Sequence, residues 1–220
     1  MKKGVIFDLD GTLLNTLVDI ADAVNFILQK HQFPEHRFED YKRFIGNGIE
    51  VLSRKALPQD ISEKEFQHYF EEIQHSYKQH QNKRTHPYDG IIDLLENLNR
   101  KKIKIAILSN KPHEFVEPTV KQYFPNIKFD MMLGKREGVA RKPNPDSVFE
   151  ILQYLELQAE DCYFVGDTAT DMRTGESANM ETIGVLWGFR GREELEESHA
   201  THIVSDTETL FNFFIADNSE

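Results

Sequence analysis

Val5-Ile6-Phe7-Asp8-Leu9-Asp10-Gly11-Thr12 opens with three large apolar residues and closes on two carboxylates, a glycine and a hydroxyl. An apolar run that stops this abruptly is the pattern of a strand buried on both faces of a parallel sheet, here Gly4 to Phe7. The pattern recurs at Ile103 to Leu108, Phe129 to Leu133, Cys162 to Val165, Thr182 to Leu186 and, more weakly, His202 to Val204. Helical spacing separates several of these runs. Ile91, Leu94, Leu95 and Leu98 form one stripe, and Val148, Ile151, Leu152 and Leu155 form another. Asn144 is the expected N-cap of the second helix, with Pro145 at its first position and Asp146 at the positive end of its dipole. Strands alternating with helices imply βαβ units, and so an α/β fold with a doubly wound, mostly parallel, Rossmann-like sheet.

From Thr16 to about Arg84 the alternation stops. Leu17, Ile20, Ala21, Val24 and Leu28 make one helical stripe behind Thr16 as N-cap. Ser62 and Glu65 form a capping box ahead of Phe66, Tyr69, Phe70, Ile73 and Tyr77. The expected organisation is a sheet-bearing core from residues 1–15 and 85–220, with a small all-helical segment, 16–84, inserted in it. The aromatic stripe on the last inserted helix reads as core packing, not as a ligand box.

The 220 residues carry 26 Lys and Arg against 37 Asp and Glu, a formal charge of −11. Grip on a nucleic-acid backbone comes from basic residues that release counterions, so nucleic acid is not an expected partner. Mean hydropathy is −0.54 and no apolar run approaches the length of a membrane span, so a membrane is not expected either. Asp8 interrupts the first apolar run too early for a signal-peptide core, and a cytoplasmic location is expected. The single cysteine, Cys162, reads as a small buried hydrophobe.

Asp8 and Asp10 stand at the carboxyl end of the first strand, the edge where open α/β sheets bind ligands. Taken alone, Asp8-Leu9-Asp10-Gly11-Thr12 is equally well an Asx turn. Other strand ends add to it. The second strand leads into Ser109-Asn110, and the fourth into Gly166-Asp167 with Asp171 four residues on. Lys142 stands between Arg141 and Pro143 just before a helix. Each has a plain reading, Ser109, Asp167 and Asp171 as helix caps and Lys142 as surface, but the fold would bring all of them to one cleft. That set suits phosphoryl transfer. Asp8 would be the nucleophile, and Asp10 the acid toward the leaving oxygen and then the base toward water. Mg²⁺ is the expected cofactor, held by the Asp8 and Asp167 carboxylates and the Asp10 carbonyl, with Asp171 as a further ligand or a residue that orients one. Lys142 would balance charge on Asp8 and the phosphoryl group, and Ser109, with Asn110 beside it, would hold a phosphoryl oxygen.

Asp8-Leu9-Asp10-Gly11-Thr12, the strand ending in Ser109-Asn110, Lys142, and Gly166-Asp167 with Asp171 together resemble the four motifs of the haloacid dehalogenase-like hydrolases. The presence of Asp10 resembles the family's phosphatases, since its dehalogenases lack that second aspartate. The resemblance implies that the helical segment is a cap closing over the cleft. Ser109-Asn110-Lys111-Pro112, Gly184 to Arg190 and Ile45-Gly46-Asn47-Gly48 are similar to phosphoglycolate phosphatases, which implies a small phosphorylated metabolite as partner and 2-phosphoglycolate as substrate. Another small phosphate, handled by a phosphatase, pyrophosphatase or phosphomutase of the same family, and a non-catalytic phosphate-binding module are the alternatives. Gly175 and Asn179 depart from the usual pattern: Asn179 is expected to keep its turn in a left-handed conformation, and Gly175 to loosen its helix. Gly46, Asn47 and Gly48, ahead of a helix carrying Ile49, Leu52 and Ala56, are expected either to receive a substrate carboxylate or to form a simple turn. A monomer or a homodimer is compatible with all of this.

Overall fold

Val5, Ile6 and Phe7 have no exposed surface, which requires neighbours on both edges and both faces of their strand. The computed structural model describes residues 2–80 and 83–215. Residues 81–82 of the expected helical segment and 216–220 at the far end lie outside the described residues. In chain order, β1 (Gly4–Phe7) is followed by a short β2 (Leu14–Asn15), then α1 (Leu17–Lys30), α2 (Phe38–Phe44), α3 (Ile49–Ala56), α4 (Glu63–His80) and a short β3 (His86–Pro87). Alternation then resumes with α5 (Ile91–Arg100), β4 (Lys104–Pro112), α6 (His113–Tyr123), β5 (Met131–Lys135), α7 (Asp146–Leu155) and β6 (Cys162–Gly166). It closes with α8 (Ala169–Ser177), β7 (Glu181–Val185), α9 (Arg192–Glu197), β8 (His202–Val204) and α10 (Thr207–Asn212).

The main sheet has six strands in the order β5-β4-β1-β6-β7-β8, every pair parallel. Residue alternation sends β1 side chains to two separate cores. Val5 and Phe7 join Leu94, Leu95, Leu98 and Val116 on one face, while Ile6 joins Val148, Ile151, Leu155 and Phe164 on the other. Helices therefore cover both faces, and β1 sits centrally where the chain winds outward in both directions, the position at which such sheets form a ligand crevice.

All six expected strands are present, with shifted ends. The third runs Met131–Lys135, not Phe129 to Leu133, and Phe129 instead packs its ring 5.9 Å from Phe124. Strand β4 continues past Leu108 to Pro112 with a register irregularity, so Ser109 and Asn110 lie within it. Helix α7 starts one residue later than expected, with Pro145 and not Asn144 at its N-cap. Asn144 Oδ1 still accepts the Asp146 N–H at 2.9 Å, the bond expected of a capping side chain. Thr16 is the N-cap of α1 but makes no capping bond, and Asn15 Oδ1 accepts the Leu17 N–H at 3.4 Å. The Ser62–Glu65 capping box forms as expected, with Ser62 N–H donating to Glu65 at 2.8 Å and Glu65 N–H to Ser62 Oγ at 3.3 Å.

Asn179 takes φ 55°, the left-handed turn expected. Gly175 has a packing role that the expectation of a loosened helix leaves out. A Cβ there would lie 2.3 Å from Thr182 Cγ2 and 3.1 Å from Phe164 Cβ, so the missing side chain lets α8 pack directly on β6 and β7. Cys162 is fully buried, and burial pushes its thiol up to about 12, as befits a packing residue.

Helices α1 to α4 bury a separate cluster that includes Leu17, Val24, Tyr41, Leu52, Ile73 and Tyr77. Two connections join this unit to the sheet, and they pair as an antiparallel ribbon, Leu14 with Pro87 and Asn15 with His86. Asp19 fixes the returning strand. Its buried carboxylate accepts the N–H groups of Lys83, Arg84 and Thr85 at 2.9–3.1 Å and the Thr85 hydroxyl at 2.7 Å.

Candidate active site

The carboxyl end of β1 delivers Asp8 into a buried position, its N–H donating to Val165 O at 2.9 Å. Beyond it the chain must turn sharply, and Gly11 makes this possible. It has φ +95°, and a Cβ there would lie 2.4 Å from Asp167 Oδ2. That close approach brings the first loop against the end of β6, and Thr12 Oγ1 donates to Asp167 Oδ1 at 3.2 Å. The Phe189 N–H donates to the other Asp167 oxygen at 2.7 Å.

Asp8, Asp167 and Asp171 lie with one ligand oxygen each within 4.8 Å of one another, all buried. Lys142 is the ammonium that faces them. Its Nζ is 2.8 Å from Asp8 Oδ1 and donates to Asp171 Oδ1 at 2.7 Å. Asp171 Oδ2 accepts the Thr168 N–H at 3.0 Å and the Thr168 hydroxyl at 2.7 Å, the capping box of α8. Asp171 is thus spoken for on both oxygens, whereas Asp8 Oδ1 meets Lys142 at an angle that leaves it without a proper hydrogen bond.

Three buried carboxyl groups face one ammonium, so ionising all three leaves two negative charges unbalanced. The titration behaviour reports this. Burial, helped by Asp171 and Asp10 and opposed by Lys142, pushes the Asp8 carboxyl up to about 7. Burial, with Asp171 and Asp8 beside it, holds Asp167 well above the usual carboxylate range. Burial works against the Lys142 ammonium, yet Asp171 and Asp8 outweigh it and raise its pKa. An all-oxygen donor set, an incompletely satisfied Asp8 oxygen and two surplus negative charges fit a hard divalent cation such as Mg²⁺.

Asn110 ties the set together. Its Oδ1 accepts the Lys142 N–H at 3.0 Å, and its Nδ2 donates to Lys142 O at 3.3 Å and to Gly46 O at 3.0 Å. A small cavity of about 50 Å³ opens between the sheet edge and the helices. Asp8, Asp10, Ser109, Asn110 and Lys111 line its floor, and Ile20, Ile45, Ile49, Leu52 and Tyr77 its roof. Gly46 and Gly48 also border it. Asn47 does not, because its side chain accepts the Thr170 hydroxyl at 3.1 Å and so docks the helical unit on α8. A helix begins at Ile49 directly after Gly48, as expected.

Two further residues, Lys111 and Arg190, shape this site without a role that the sequence alone assigns. Lys111, buried at the end of β4, donates to Asp10 at 3.1 and 3.3 Å and to the Tyr77 hydroxyl. Arg190 reaches back to Lys42 O and Ile45 O, at 2.8 Å for the latter, and holds the end of α2. The sequence signal for Lys111 was a lysine adjoining an apolar strand, but its partners depend on how the helical unit sits.

The haloacid dehalogenase-like hydrolase family model matches residues 5–185, from the first sheet strand to the end of β7. The chain belongs to the haloacid dehalogenase-like hydrolases. Among its relatives are the phosphoglycolate phosphatases of Psychrobacter arcticus, 28% identical over 97% of this chain and 96% of that protein, and of Aliivibrio fischeri, 29% identical over 93% and 92%. A crystal structure from Lactobacillus delbrueckii subsp. bulgaricus, provisionally assigned as a phosphoglycolate phosphatase, superposes with a TM-score of 0.91, 33% identity and 97% and 98% coverage of the two chains.

Proposed function

We propose that this protein is a Mg²⁺-dependent phosphomonoester hydrolase that works through an aspartyl-phosphate on Asp8, with 2-phosphoglycolate as its substrate. The observation that carries the reading is the Asp8 carboxylate, buried against Lys142 and beside Asp167 on the floor of the cavity, with Asp10 on the same loop. The names borne by the relatives support the substrate.

Asp8 attacks phosphorus with one carboxylate oxygen, and the bond from phosphorus to the leaving oxygen breaks as Asp10 delivers its proton to that oxygen. Asp10, now a carboxylate, takes a proton from water. The water oxygen attacks the phosphorus, and the bond to Asp8 breaks to release phosphate. Lys142 holds Asp8 and carries positive charge toward the phosphoryl oxygens, and the Ser109 hydroxyl donates to one of them. Asp8, Asp167 and the Asp10 carbonyl would hold Mg²⁺, which when bound neutralises the repulsion between carboxylate and phosphate. Asp171, with both oxygens taken, orients Lys142.

Residues 16–84 act as the cap over this cleft, and the loop at Gly46 and Gly48 borders the space for the substrate's carboxylate. The partner is then a small phosphorylated metabolite met in the cytoplasm, with neither nucleic acid nor membrane engaged, by a monomer or homodimer. Among the described residues no helix is long and apolar enough to cross a membrane. Phosphate release from a panel of small phosphomonoesters, in Mg²⁺ and in chelator, tests the reading. It predicts Mg²⁺-dependent turnover with 2-phosphoglycolate as the best substrate. No turnover on any ester would refute the class, and a different optimum would refute the substrate.

A further inference from the structure

Lys111 is an ammonium that the proposed chemistry leaves without a task, since Lys142 serves the phosphoryl group. Its side chain is 3% exposed, and an ammonium so buried must be paired. The partners come from two parts of the molecule. Asp10, on the loop after β1, accepts from Nζ on both carboxylate oxygens at 3.1 and 3.3 Å. Tyr77, on the last helix of the inserted unit, accepts through its hydroxyl, with its ring centroid 5.0 Å from the same nitrogen. Three acceptor atoms match the three protons of an ammonium, which leaves none for a substrate anion. Tyr77 is itself held in place, buried and edge-on to Phe115 with ring centroids 5.6 Å apart. Among the described residues, Lys111 is the hydrogen-bond donor to the Asp10 side chain.

We infer that Lys111 is a positioning residue that aims Asp10 at the leaving oxygen, and that Tyr77 holds Lys111 there, so seating the helical unit and aiming the acid are one event. The inference rests on the phosphatase reading and adds to it how the acid is placed. Asp10 has rotatable side-chain bonds, and a displacement of about 1 Å in a catalytic group can cost on the order of 100-fold in rate. Only substrates that need a proton at the leaving oxygen should feel that loss. An alkoxide must be protonated as it departs, whereas p-nitrophenolate leaves without help.

The test compares kcat/KM, which covers the steps up to phosphoryl transfer onto Asp8, for propyl phosphate, p-nitrophenyl phosphate and 2-phosphoglycolate. Lys111→Met is expected to lose about 100-fold on propyl phosphate and 2-phosphoglycolate, and less than about fivefold on p-nitrophenyl phosphate. Tyr77→Phe keeps the ring on Phe115 and removes only the hydroxyl. It is expected to lose about fivefold on the two alkyl esters and nothing on the aryl ester, and it decides the matter should Lys111→Met not fold. Equal losses on alkyl and aryl esters would overturn the inference. So would a loss on 2-phosphoglycolate with propyl phosphate spared, which would make Lys111 a receptor for the substrate carboxylate. Absence of turnover in the wild type would instead remove the phosphatase reading itself.

Discussion

Replacing Lys142 by methionine would keep the stem of the side chain and delete its charge. In the native protein that ammonium lies 2.8 Å from Asp8 and 2.7 Å from Asp171 and is 2% exposed. Breaking a buried ion pair from one side strands its partner in a low-dielectric site and typically costs about 3–5 kcal/mol. For a protein of this size, 1 kcal/mol corresponds to roughly 2–4 °C in Tm, so a fall of roughly 6–20 °C is expected at pH 8 in chelator. The cost must depend on pH. Asp8 titrates near 7 in the folded protein, above its ordinary value, so at pH 5.5 it already carries a proton and the lost ammonium matters less. Thermal unfolding of wild type and Lys142→Met at the two pH values measures the difference. A deficit at pH 8 no larger than the one at pH 5.5, or one below about 1 kcal/mol, would refute the charge balance assigned to the site. Adding Asp171→Asn to Lys142→Met should recover part of the loss, because it removes one of the stranded carboxylates.

Mg²⁺ affinity should rise as pH passes through about 7, because the Asp8 carboxyl must lose a proton that the metal-free fold retains, and the raised Asp167 carboxyl adds to the same trend. The raised folded pKa of Asp8 stabilises the metal-free protein at low pH, and that contribution is lost as pH climbs through about 7. Calorimetric Mg²⁺ titrations at pH 5.5 and 8 check the first statement, and an affinity independent of pH would contradict it. Gly175→Ala should destabilise despite the helix preference for alanine. Overpacking costs about 1–3 kcal/mol against about 1 kcal/mol gained in propensity, and a raised Tm would show that α8 has room to move.

Much of this architecture could be read along the chain because the information was local. Val5 to Phe7 announced a central strand through unbroken apolarity, and the carboxylates that follow were bound to reach the sheet edge because the strand ends there. Asp8, Asp10, Lys142, Asp167 and Asp171 converge for the same reason, each standing at a strand end or helix start. What escaped the reading was non-local. Lys111 and Tyr77 are 34 positions apart, and Arg190 and Lys42 are 148 apart; nothing in either neighbourhood encodes how the helical unit leans on the sheet. The packing role of Gly175 is hidden because helix propensity is visible in sequence and the proximity of Thr182 is not. The glycines beside Asn47 leave a carboxylate site and a simple turn equally open, and the contact of its side chain with Thr170, 123 positions away, is not encoded in either.

The central claim is that Asp8 becomes covalently phosphorylated during turnover. Acid quenching of the enzyme in the steady state with 2-phosphoglycolate labelled in its phosphoryl group, in Mg²⁺, tests it most directly. The account predicts acid-stable, hydroxylamine-labile label on the peptide containing Asp8, absent in chelator and in Asp8→Asn. Turnover by Asp8→Asn at the wild-type rate, or wild-type turnover with label on another residue, would contradict it.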